Sequence, residues 1–514
     1  METEIKKKEQ TMMCAENLKI NEMRDKKINS QTTRETSGIT LIALVVTIVV
    51  LLILAGITIS LVFSENGIIA KAKEAAEKAN QAAINEQRQM NEVAGYLDNM
   101  LNEIGGNTPP EEPTLPSDGS YSEEKAVNTP NLGEGMTPIK WDETKKDWVE
   151  TYGSDPEWYN YGETESTRKW ANAKTSDGSM WVWIPRYAYS ITSGYHKSGA
   201  DINSTAPEEG AGTIEVEFMK GISSESSTGR INFQNVSGEG KWNIHPAFNY
   251  GQTVSGIWVA KFEASSKEGN SNSDSGDNVI TKTLQVKPGV SSWRYITIGN
   301  MYTVCKNYNS ALNSHMMKND EWGAVAYLSK SKYGKENEEV WINNSSSYIT
   351  GSAGNSASAS QDTGTTTDYT STQGVKASTT GTVYGVYDMS GGTWEYVAGY
   401  VNNGHGNLTR YGSSLVNGEA KTKNMYSKAS TDNETNNYNA NSSKYGDAVY
   451  ETSANGNTSN GSWYGDYSNF PYTLFSFFER GGCCSNVTHA GVFALEKHNG
   501  VSSIVSSRPV LAVL

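Results

Sequence analysis

The sequence predicts an α+β protein in which a long amino-terminal helix precedes a strand-rich domain with long polar insertions. Residues 39–63 form an uncharged run of 25 residues, and residues 65–104 contain no proline and place apolar side chains at helical spacing. From about residue 131 the pattern changes to short aromatic and β-branched runs, which are typical of strands. A chain of 514 residues has room for two to four domains.

The uncharged run is long enough to cross a membrane. As a helix that rises ~1.5 Å per residue it reaches about 37 Å, against a hydrocarbon core of ~30 Å. Globular helices rarely extend so far without a charge, and a secretory signal has a shorter apolar part. Residues 19–38 hold five Lys or Arg, against three in residues 64–83, which favours a cytoplasmic amino terminus. We expect a single-pass cell-membrane protein with an extracellular C-terminal domain.

The residues Gly38-Ile39-Thr40-Leu41-Ile42 join a polar leader to the apolar run. This junction resembles the class III signal of type IV prepilins and pseudopilins. The resemblance implies that a prepilin peptidase cuts between Gly38 and Ile39, that the new amino terminus is methylated, and that other pilin-like subunits are partners. Those proteins usually carry Glu at the fifth mature position, where this chain has Ala43. The departure counts against filament assembly by the usual route.

The rest of the chain divides by composition. We interpret residues 1–38 as the leader, 39–104 as the transmembrane and pilin-like helix, and 105–130 as a proline-rich linker. Residues 131–514 are then the extracellular domain. Within it we predict strands at Met180–Ile184, Gly256–Phe262 and Arg294–Ile298, a helix around Asp320–Leu328, and polar surface insertions at 343–380 and 401–462.

Composition excludes some functions. The net charge of −14 gives no support to binding of nucleic acid. The four cysteines show no Cys-x-x-Cys, and the six histidines are scattered without ligand spacing, so we expect neither a metal nor another cofactor. The 49 Gly, 28 Tyr and 13 Trp suit an extracellular, loop-rich domain whose core uses aromatic side chains.

Three ordered motifs resemble the formylglycine-generating-enzyme-like (sulfatase-modifying-factor) superfamily, which has a C-type-lectin-like fold. They are the segment 385–397 (GVYDMSGGTWEYV), the upstream helix segment 319–327 (NDEWGAVAY), and the downstream RGG at 480–482 with SRPV at 507–510. We interpret their residues as scaffold. The structural residues so assigned are Trp322, Asp388, Met389, Gly391, Trp394, Glu395, Arg480, Gly481, Gly482, Arg508 and Pro509.

Enzymes of that superfamily use a cysteine pair several positions apart to hold copper, or a histidine-rich iron site. Here Cys483 and Cys484 are adjacent, and no histidine-rich motif occurs. We therefore expect no catalysis and no catalytic residues. An oxidoreductase of the formylglycine-generating class stays as an alternative.

The last fifty residues suggest a binding surface. Aromatic and glycine landmarks separate segments of heterogeneous chemistry, which resembles the variable region of diversity-generating-retroelement target proteins. That resemblance implies that residues 463–514 are a variable ligand-binding region. The candidate binding residues are Thr473, Leu474, Phe475, Ser476, Cys483, Cys484, Ser485, Val487, His489, Glu496, Lys497, His498, Val501, Ser502, Ser503, Ile504, Val505 and Ser506. A plain pair of β-strands with exposed Ser and buried Val or Ile is the alternative to a variable face.

These observations predict a bacterial, pilin-like anchored surface receptor or adhesin whose lectin-like face binds an extracellular protein or glycan. The rival hypothesis is a structural pseudopilin of a type IV pilus or a type II secretion-like system, without a specific ligand.

Overall fold

The computed structural model describes residues 117–194, 211–229, 231, 240–269, 277–354, 366–456 and 461–514. By its internal contacts the chain divides into two units, Met1–Glu111 and Glu112–Leu514, and the second holds every described residue. The predicted leader, the cleavage site at Gly38 and Ile39, the transmembrane helix and the linker up to residue 116 lie outside the described residues. Within the described residues, helices are too short or too polar to cross a bilayer.

The first large sheet contains seven strands of the described chain. These strands are β3 (Met136–Asp142), β4 (Asp147–Glu150), β7 (Asn172–Thr175), β8 (Met180–Pro185), β12 (Gly256–Ala260), β15 (His315–Met316) and β23 (Pro509–Leu511). Their order is β15-β23-β12-β8-β7-β3-β4, with every neighbouring pair antiparallel. The strand nearest the end of the chain therefore lies between two strands from its middle.

The second large sheet also contains seven strands of the described chain. They are β16 (Trp394–Asn402), β17 (Asn424–Ser427), β18 (Asn455–Gly456), β19 (Ser468–Asn469), β20 (Phe477–Gly481), β21 (Gly491–His498) and β22 (Val505–Ser507). The order is β17-β16-β20-β21-β19-β18, and β22 pairs with β16 in parallel beside β17. The central hairpin, β20–β21, is antiparallel, and β20 also pairs antiparallel with β16.

Smaller sheets and four α-helices complete the described residues. The strands are β1 (Tyr121–Ser122), β2 (Val127–Asn128), β5 (Asn160–Tyr161), β6 (Arg168–Lys169), β9 (Tyr187–Ser193), β10 (Thr213–Phe218), β11 (Asn243–Ile244), β13 (Ser265–Ser266) and β14 (Leu284–Gln285). The helices are α1 (Ile298–Asn307), α2 (Asn319–Lys330), α3 (Gly406–Val416) and α4 (Glu434–Asn441). Helices and sheets are thus mixed and sheets predominate, as the sequence predicts.

The best predicted elements are those with a continuous apolar signal. The runs Met180–Ile184 and Gly256–Phe262 are confirmed as β8 and β12, and both strands are buried along their whole length. The predicted helix near residue 320 is confirmed as α2, which is also buried throughout. The Glu321 carboxylate accepts the backbone N–H of Lys318 at 2.8 Å, which caps the first turn of this helix.

Arg294–Ile298 is not a strand, although its β-branched and aromatic residues predict one. The Thr297 side chain instead accepts the backbone N–H of Asn300 at 3.3 Å and caps α1, which begins at Ile298. A hydroxyl at a helix N-cap gives the same local sequence signal as a threonine in a strand. In this segment the N-cap hydrogen bond of Thr297 forms, and a helix begins where the residue types predict a strand.

Two predicted surface regions belong to the folded domain. Residues 117–130, assigned to the linker, form the β1–β2 pair, and Asn128 is fully buried and donates to the Ser255 carbonyl at 2.8 Å. Residues 401–462, assigned to a surface insertion, contain α3, α4 and buried asparagines. Asn441, for example, bonds both the N–H and the carbonyl of Ser427. Side-chain amides can replace backbone partners, so an asparagine-rich segment need not lie on the surface.

The core is continuous across the described residues of both large sheets. Its largest fully buried members include Trp181, Trp258, Trp322 and Trp463. Trp322 of α2 donates its indole N–H to the Val492 carbonyl of β21 at 2.8 Å. This bond fixes α2 against the second sheet, which carries the binding residues predicted from the sequence.

Candidate binding face

The four predicted binding segments lie around the β20–β21 hairpin. Residues 473–476 precede β20, residues 483–489 connect its two strands, and residues 496–498 end β21. Residues 501–506 then lead into β22, which pairs with the first half of β16. Because β16 and β20 run antiparallel, the 483–489 connection lies at the Trp394 end of β16 and the 473–476 segment lies at the opposite end.

Two buried arginines hold the hairpin and its neighbours. Arg508 forms a bidentate pair with the Glu395 carboxylate and donates to the Ala260 carbonyl at 3.1 Å. Arg480 donates to the Asn319 side chain at 2.8 Å and to the carbonyls of residues 447 and 448 at 2.8 and 3.0 Å. Both guanidinium groups are fully buried. One arginine thus lies in an ion pair and the other satisfies backbone carbonyls.

Further acids surround the Arg508–Glu395 pair. Asp388 accepts the backbone N–H of Gly351 at 2.9 Å, and Glu263 accepts the Thr393 hydroxyl at 2.7 Å. Burial raises the pKa of Asp388 to about 6 and that of Glu395 to about 7, although Arg508 opposes both shifts. This cluster links the two large sheets, because Arg508 directly precedes β23.

Glycines allow the tight turns beside this cluster. Gly391 has a φ of +78°, and a Cβ there would lie 2.2 Å from the Asn343 carbonyl oxygen. Gly482 has a φ of +71°, and a Cβ there would lie 2.5 Å from the Ala490 Cα. The Gly391 N–H donates to the Gly481 carbonyl at 2.9 Å. Only glycine combines this φ with so close an approach of backbone.

The remaining scaffold residues are buried as well. Met389 is fully buried in the core, Trp394 is 5% exposed, and Pro509 begins β23.

Five of the eighteen predicted binding residues are buried, so we leave them out of the binding face. They are Ser476, Cys483, Cys484, Val505 and Ser506. Val505 and Ser506 belong to β22, which pairs with β16, but Ser506 is buried, whereas the alternative of ordinary strands places its serines on the surface. Cys483 is held by its own loop, where its thiol lies 3.0 Å from the Ser485 hydroxyl and 3.1 Å from the Asn486 side-chain oxygen.

Four more lie apart from the rest. Thr473, Leu474 and Phe475 are half-buried or exposed at the far end of the hairpin, where α3 begins, and the Asn407 side chain donates to the Leu474 carbonyl at 2.8 Å. The Lys497 ammonium pairs with Glu434 of α4 and lies 2.5 Å from the Asn469 side-chain oxygen. Lys497 alternates with its neighbours along β21, so it points to the other side of the sheet.

Nine predicted residues are half-buried or exposed around Trp394 and Tyr467, and we call this surface the display face. Its members are Ser485, Val487, His489, Glu496, His498, Val501, Ser502, Ser503 and Ile504. The backbone N–H of Trp394 donates to the Ile504 carbonyl at 3.1 Å, and the backbone N–H of Tyr467 donates to the His489 carbonyl at 2.8 Å. The two aromatic rings lie 6.1 Å apart, edge to face. The Tyr467 side chain also bonds the Glu496 carboxyl of β21, so three separate segments meet at the two residues of this aromatic pair.

The register of the sheet adds buried residues beneath this face. Glu479 lies directly opposite Glu496 in the hairpin and opposite Tyr396 in β16. Directly opposed residues share a face, so the side chains of Tyr396, Glu479, Glu496 and His498 lie on the same side of the sheet as Trp394. The Tyr396 hydroxyl lies 2.8 Å from Nδ1 of His498.

This side of the sheet carries two carboxyls, those of Glu479 and Glu496, and one histidine, His498. Burial and the neighbouring Glu496 carboxyl raise the pKa of Glu479 well above its usual range. Burial raises the pKa of Glu496 to about 7, although the adjacent Tyr467 and Lys497 oppose that shift. Burial also lowers the pKa of His498 to about 4. The histidine is therefore neutral at pH 7 and does not balance the acids.

Glu479 and Tyr396 escaped the sequence prediction. Both are buried strand residues, and only the pairing of β20 with β16 and β21 brings them next to Glu496 and His498. The one signal in the sequence is the charge of Glu479 within the strand Phe-Phe-Glu-Arg-Gly, where its neighbours predict a buried strand. Buried carboxylates in such strands are rare unless they are paired.

The described residues contain no group of three or more His, Cys, Asp or Glu side chains placed to hold a metal ion. Cys305, Cys483 and Cys484 form no disulfide in this part of the chain.

No protein-family model matches the chain, and no curated protein matches it either. Solved structures similar to it include a Major Tropism Determinant I1 variant and a Major Tropism Determinant P3c variant, each at 13% identity. The alignments cover 76% and 78% of this chain and 98% and 100% of those chains, with TM-scores of 0.23 and 0.22. Scores this low do not establish a shared fold, so a function for this chain must rest on its own geometry.

Proposed function

We propose that residues 117–514 are the recognition head of a cell-surface receptor or adhesin, and that the display face binds its extracellular protein or glycan ligand. The observation that carries the proposal is the contrast between face and frame. Chemically heterogeneous, partly exposed side chains from three segments meet around Trp394 and Tyr467, while the frame, formed by Arg480 and the Arg508–Glu395 pair, is buried and hydrogen-bonded. Such a frame tolerates change in the side chains that it displays.

The anchor belongs to the same proposal. Residues 39–63 would hold the head at the membrane after a prepilin peptidase cuts between Gly38 and Ile39, with the head outside the cell. The length and lack of charge of this segment support it. The head itself binds without catalysis or cofactor in this proposal, since the adjacent cysteines are buried and Cys483 is bonded within its own loop.

We further propose that the display face is diversified between cells. The test is deep sequencing of codons 463–514 and the flanking DNA from many cells of one lineage. We expect variation at the display-face codons and at 473–475, together with an adenine-rich copy nearby. Codons 394, 467, 480 and 508 should not vary, because they encode the aromatic pair and the buried arginines.

The five buried candidates provide an internal control. Codons 476, 483, 484, 505 and 506 lie among the display codons but encode buried side chains, so variation there should be limited to small or apolar residues. An invariant sequence without a copy would overturn diversification and leave a receptor of fixed specificity. Variation spread evenly over buried and exposed codons would contradict the division into face and frame.

A further inference from the structure

We infer that Arg294 is a constant anchor of the display face, and that its guanidinium binds an aspartate or glutamate carboxylate of a protein ligand. This inference rests on the proposed function, because it names the ligand chemistry of the same face. Arg294 lies outside residues 463–514, so the anchor stays the same whichever side chains that region displays.

The segment around Arg294 runs alongside residues 500–503 of the display face and is held there by backbone groups. The backbone N–H of Tyr295 donates to the Ser502 carbonyl at 3.1 Å. The Nη1 atom of Arg294 donates to the Ser503 carbonyl at 3.0 Å. Every residue type has a backbone carbonyl. A change of side chain at either serine therefore leaves the acceptor of the guanidinium in place.

The guanidinium of Arg294 has donors without acceptors. Its Nε atom is buried and bonds nothing within the described residues. Its Nη2 atom also lacks an acceptor there, but this atom is accessible from the surface. No acidic side chain among the described residues pairs with Arg294. Since a guanidinium does not lose its proton in a protein, this charge stays unpaired until an anion binds.

Two tyrosines fix the direction of the guanidinium. Its central carbon lies 4.1 Å from the centre of the Tyr348 ring and 5.6 Å from the centre of the Tyr295 ring. The backbone is left-handed at both residues, with a φ of +54° at Tyr348 and +63° at Tyr295. Residues other than glycine keep such a conformation only where the surrounding structure fixes it. An arginine held in this way loses little conformational freedom when it binds.

An anion is the complement of this site. The nine display-face residues include no lysine or arginine, and the ammonium of Lys497 binds Glu434 on the other side of the sheet. The one acid among the nine, Glu496, bonds the Tyr467 side chain. Arg294 therefore adds a fixed positive charge to the face. The planar edge of a guanidinium matches the two oxygens of a carboxylate, and such bonds are about twice as strong as neutral ones.

The surroundings favour a protein ligand over an acidic glycan. Val501 and Ile504 are half-buried apolar residues on either side of the two serines, and Trp394 bonds the Ile504 carbonyl. Arginine, tryptophan and tyrosine are enriched among the residues that contribute most to protein–protein binding, where apolar neighbours exclude water from the central contacts. A carboxylate side chain of a protein would bring such apolar neighbours with it.

The probe is N-acetyl-glutamate N-methylamide, whose single charge is its side-chain carboxylate. N-acetyl-glutamine N-methylamide is a neutral molecule of nearly the same shape. Ligand-observed NMR titrations of the full-length protein at neutral pH give both affinities at low and at high salt. We expect the glutamate probe to bind about tenfold more tightly than the glutamine probe at low salt, and to weaken several-fold at about 0.5 M NaCl. The affinity of the glutamine probe should not change with salt.

Three variants assign the binding to the guanidinium. Arg294→Gln should weaken the glutamate probe about tenfold and remove its salt dependence. Arg294→Lys keeps the charge without the planar fork, so it should lose only part of the affinity. Ser503→Glu places a competing carboxylate beside the guanidinium and should also weaken the probe about tenfold. Because Ser503 is exposed, this variant keeps the test valid even where the Arg294 variants do not fold.

Arg168→Gln is the matched control. Like Arg294, Arg168 is half-buried, donates to one backbone carbonyl, that of Glu163 at 2.9 Å, and has a buried Nε atom without an acceptor in the described chain. It begins β6, which belongs to the separate two-stranded sheet of β5 and β6. Arg168→Gln should therefore leave the affinities of both probes unchanged.

The outcomes separate this inference from the proposed function. Equal affinity for both probes, or glutamate binding that survives both Arg294→Gln and Ser503→Glu, would overturn the anchor. Glucuronate that binds more tightly than the glutamate probe and is lost in the same variants would overturn the protein ligand in favour of an acidic glycan. If the display codons are diversified and the glutamate probe does not bind, only this inference fails. If the probe binds through Arg294 and the codons are invariant, only the diversified face fails.

Discussion

Glu479 and Arg480 are neighbours on one strand, yet their two sides of the sheet differ completely. The Arg480 guanidinium donates to three acceptors, and each contact is 2.8–3.0 Å long. The Glu479 carboxyl has a buried oxygen with no donor among the described residues. Since side chains alternate along a strand, one hairpin presents both a saturated side and an unsaturated side. One strand can thus place a fully hydrogen-bonded side chain on one side of a sheet and an incompletely bonded one on the other.

The strongest way to break this contrast is Arg480→Ala. The variant leaves the acceptors of Asn319, Asp447 and Ala448 buried without donors, so we expect the free energy of unfolding to fall by about 3–5 kcal/mol. Urea denaturation followed by circular dichroism measures it. Arg294→Ala is the comparison, because the half-buried Arg294 donates to the Ser503 carbonyl at an exposed site and lies over the Tyr348 ring. Equal losses for the two variants would contradict a special role of Arg480 in the frame.

The next largest loss of stability is expected for Gly391→Ala, which strains the turn beside the buried Arg508–Glu395 pair. The left-handed backbone and the contact with the Asn343 carbonyl predict a loss of about 1–3 kcal/mol in thermal or urea unfolding. Gly404→Ala separates the two causes, since Gly404 has a φ of +74° and open space around it. The Gly404 variant should lose less, and a larger loss there would rule out the steric explanation.

The unsaturated side should respond to pH. The raised pKa of Glu479 means that the folded state holds its proton more tightly than the unfolded chain, so this group lowers stability as pH rises from about 4.5 toward its folded value. Glu479→Gln should therefore stabilise the protein by about 1 kcal/mol at pH 8 and have little effect at pH 5. Melting temperatures across this range check it, with Glu143→Gln as a control that should show no such trend, since the Glu143 side chain is 76% exposed.

The smallest effect is expected on the display face itself. Ser503 is exposed, so Ser503→Trp should change the free energy of unfolding by less than about 0.5 kcal/mol. Ser506→Trp, three residues away, places the same ring at a fully buried position and should abolish folding. Expression and melting temperature of the pair measure the boundary between face and frame. Similar expression and melting temperatures for the two variants would contradict the division into an exposed face and a buried frame.

The sequence was informative where one signal dominated. The unbroken apolar runs of β8 and β12 and the motif of α2 could be predicted, because local pattern and burial agree there. The segment near Thr297 could not, since a helix cap and a strand favour the same residue. The composition around Asn441 predicts a surface loop, whereas its internal hydrogen bonds depend on residues that only folding brings near.

The site could be predicted in part for a similar reason. Ser485 and Ser503 could be predicted, because the segments that contain them differ in chemistry from the aromatic and glycine residues on either side. Burial of Cys483 and Val505, and the lack of a donor for Glu479 in the described part of the chain, depend on which strands pair across long separations, as Trp394 and Val505 do. Local composition carries no record of those pairings.

The position of β23 has a consequence for how errors in this chain are tolerated. Val510 pairs with His315 on one side and with Val259 on the other. The first large sheet is therefore complete only after the ribosome has translated the codons of the display face in the correct frame. A stop codon or frameshift anywhere in residues 473–506 deletes this strand, which has a neighbour on each side. A substitution on the display face leaves β23 in place, whereas a chain with a reading-frame error lacks it. Complete folding of the first sheet therefore requires an intact reading frame through the codons of the display face.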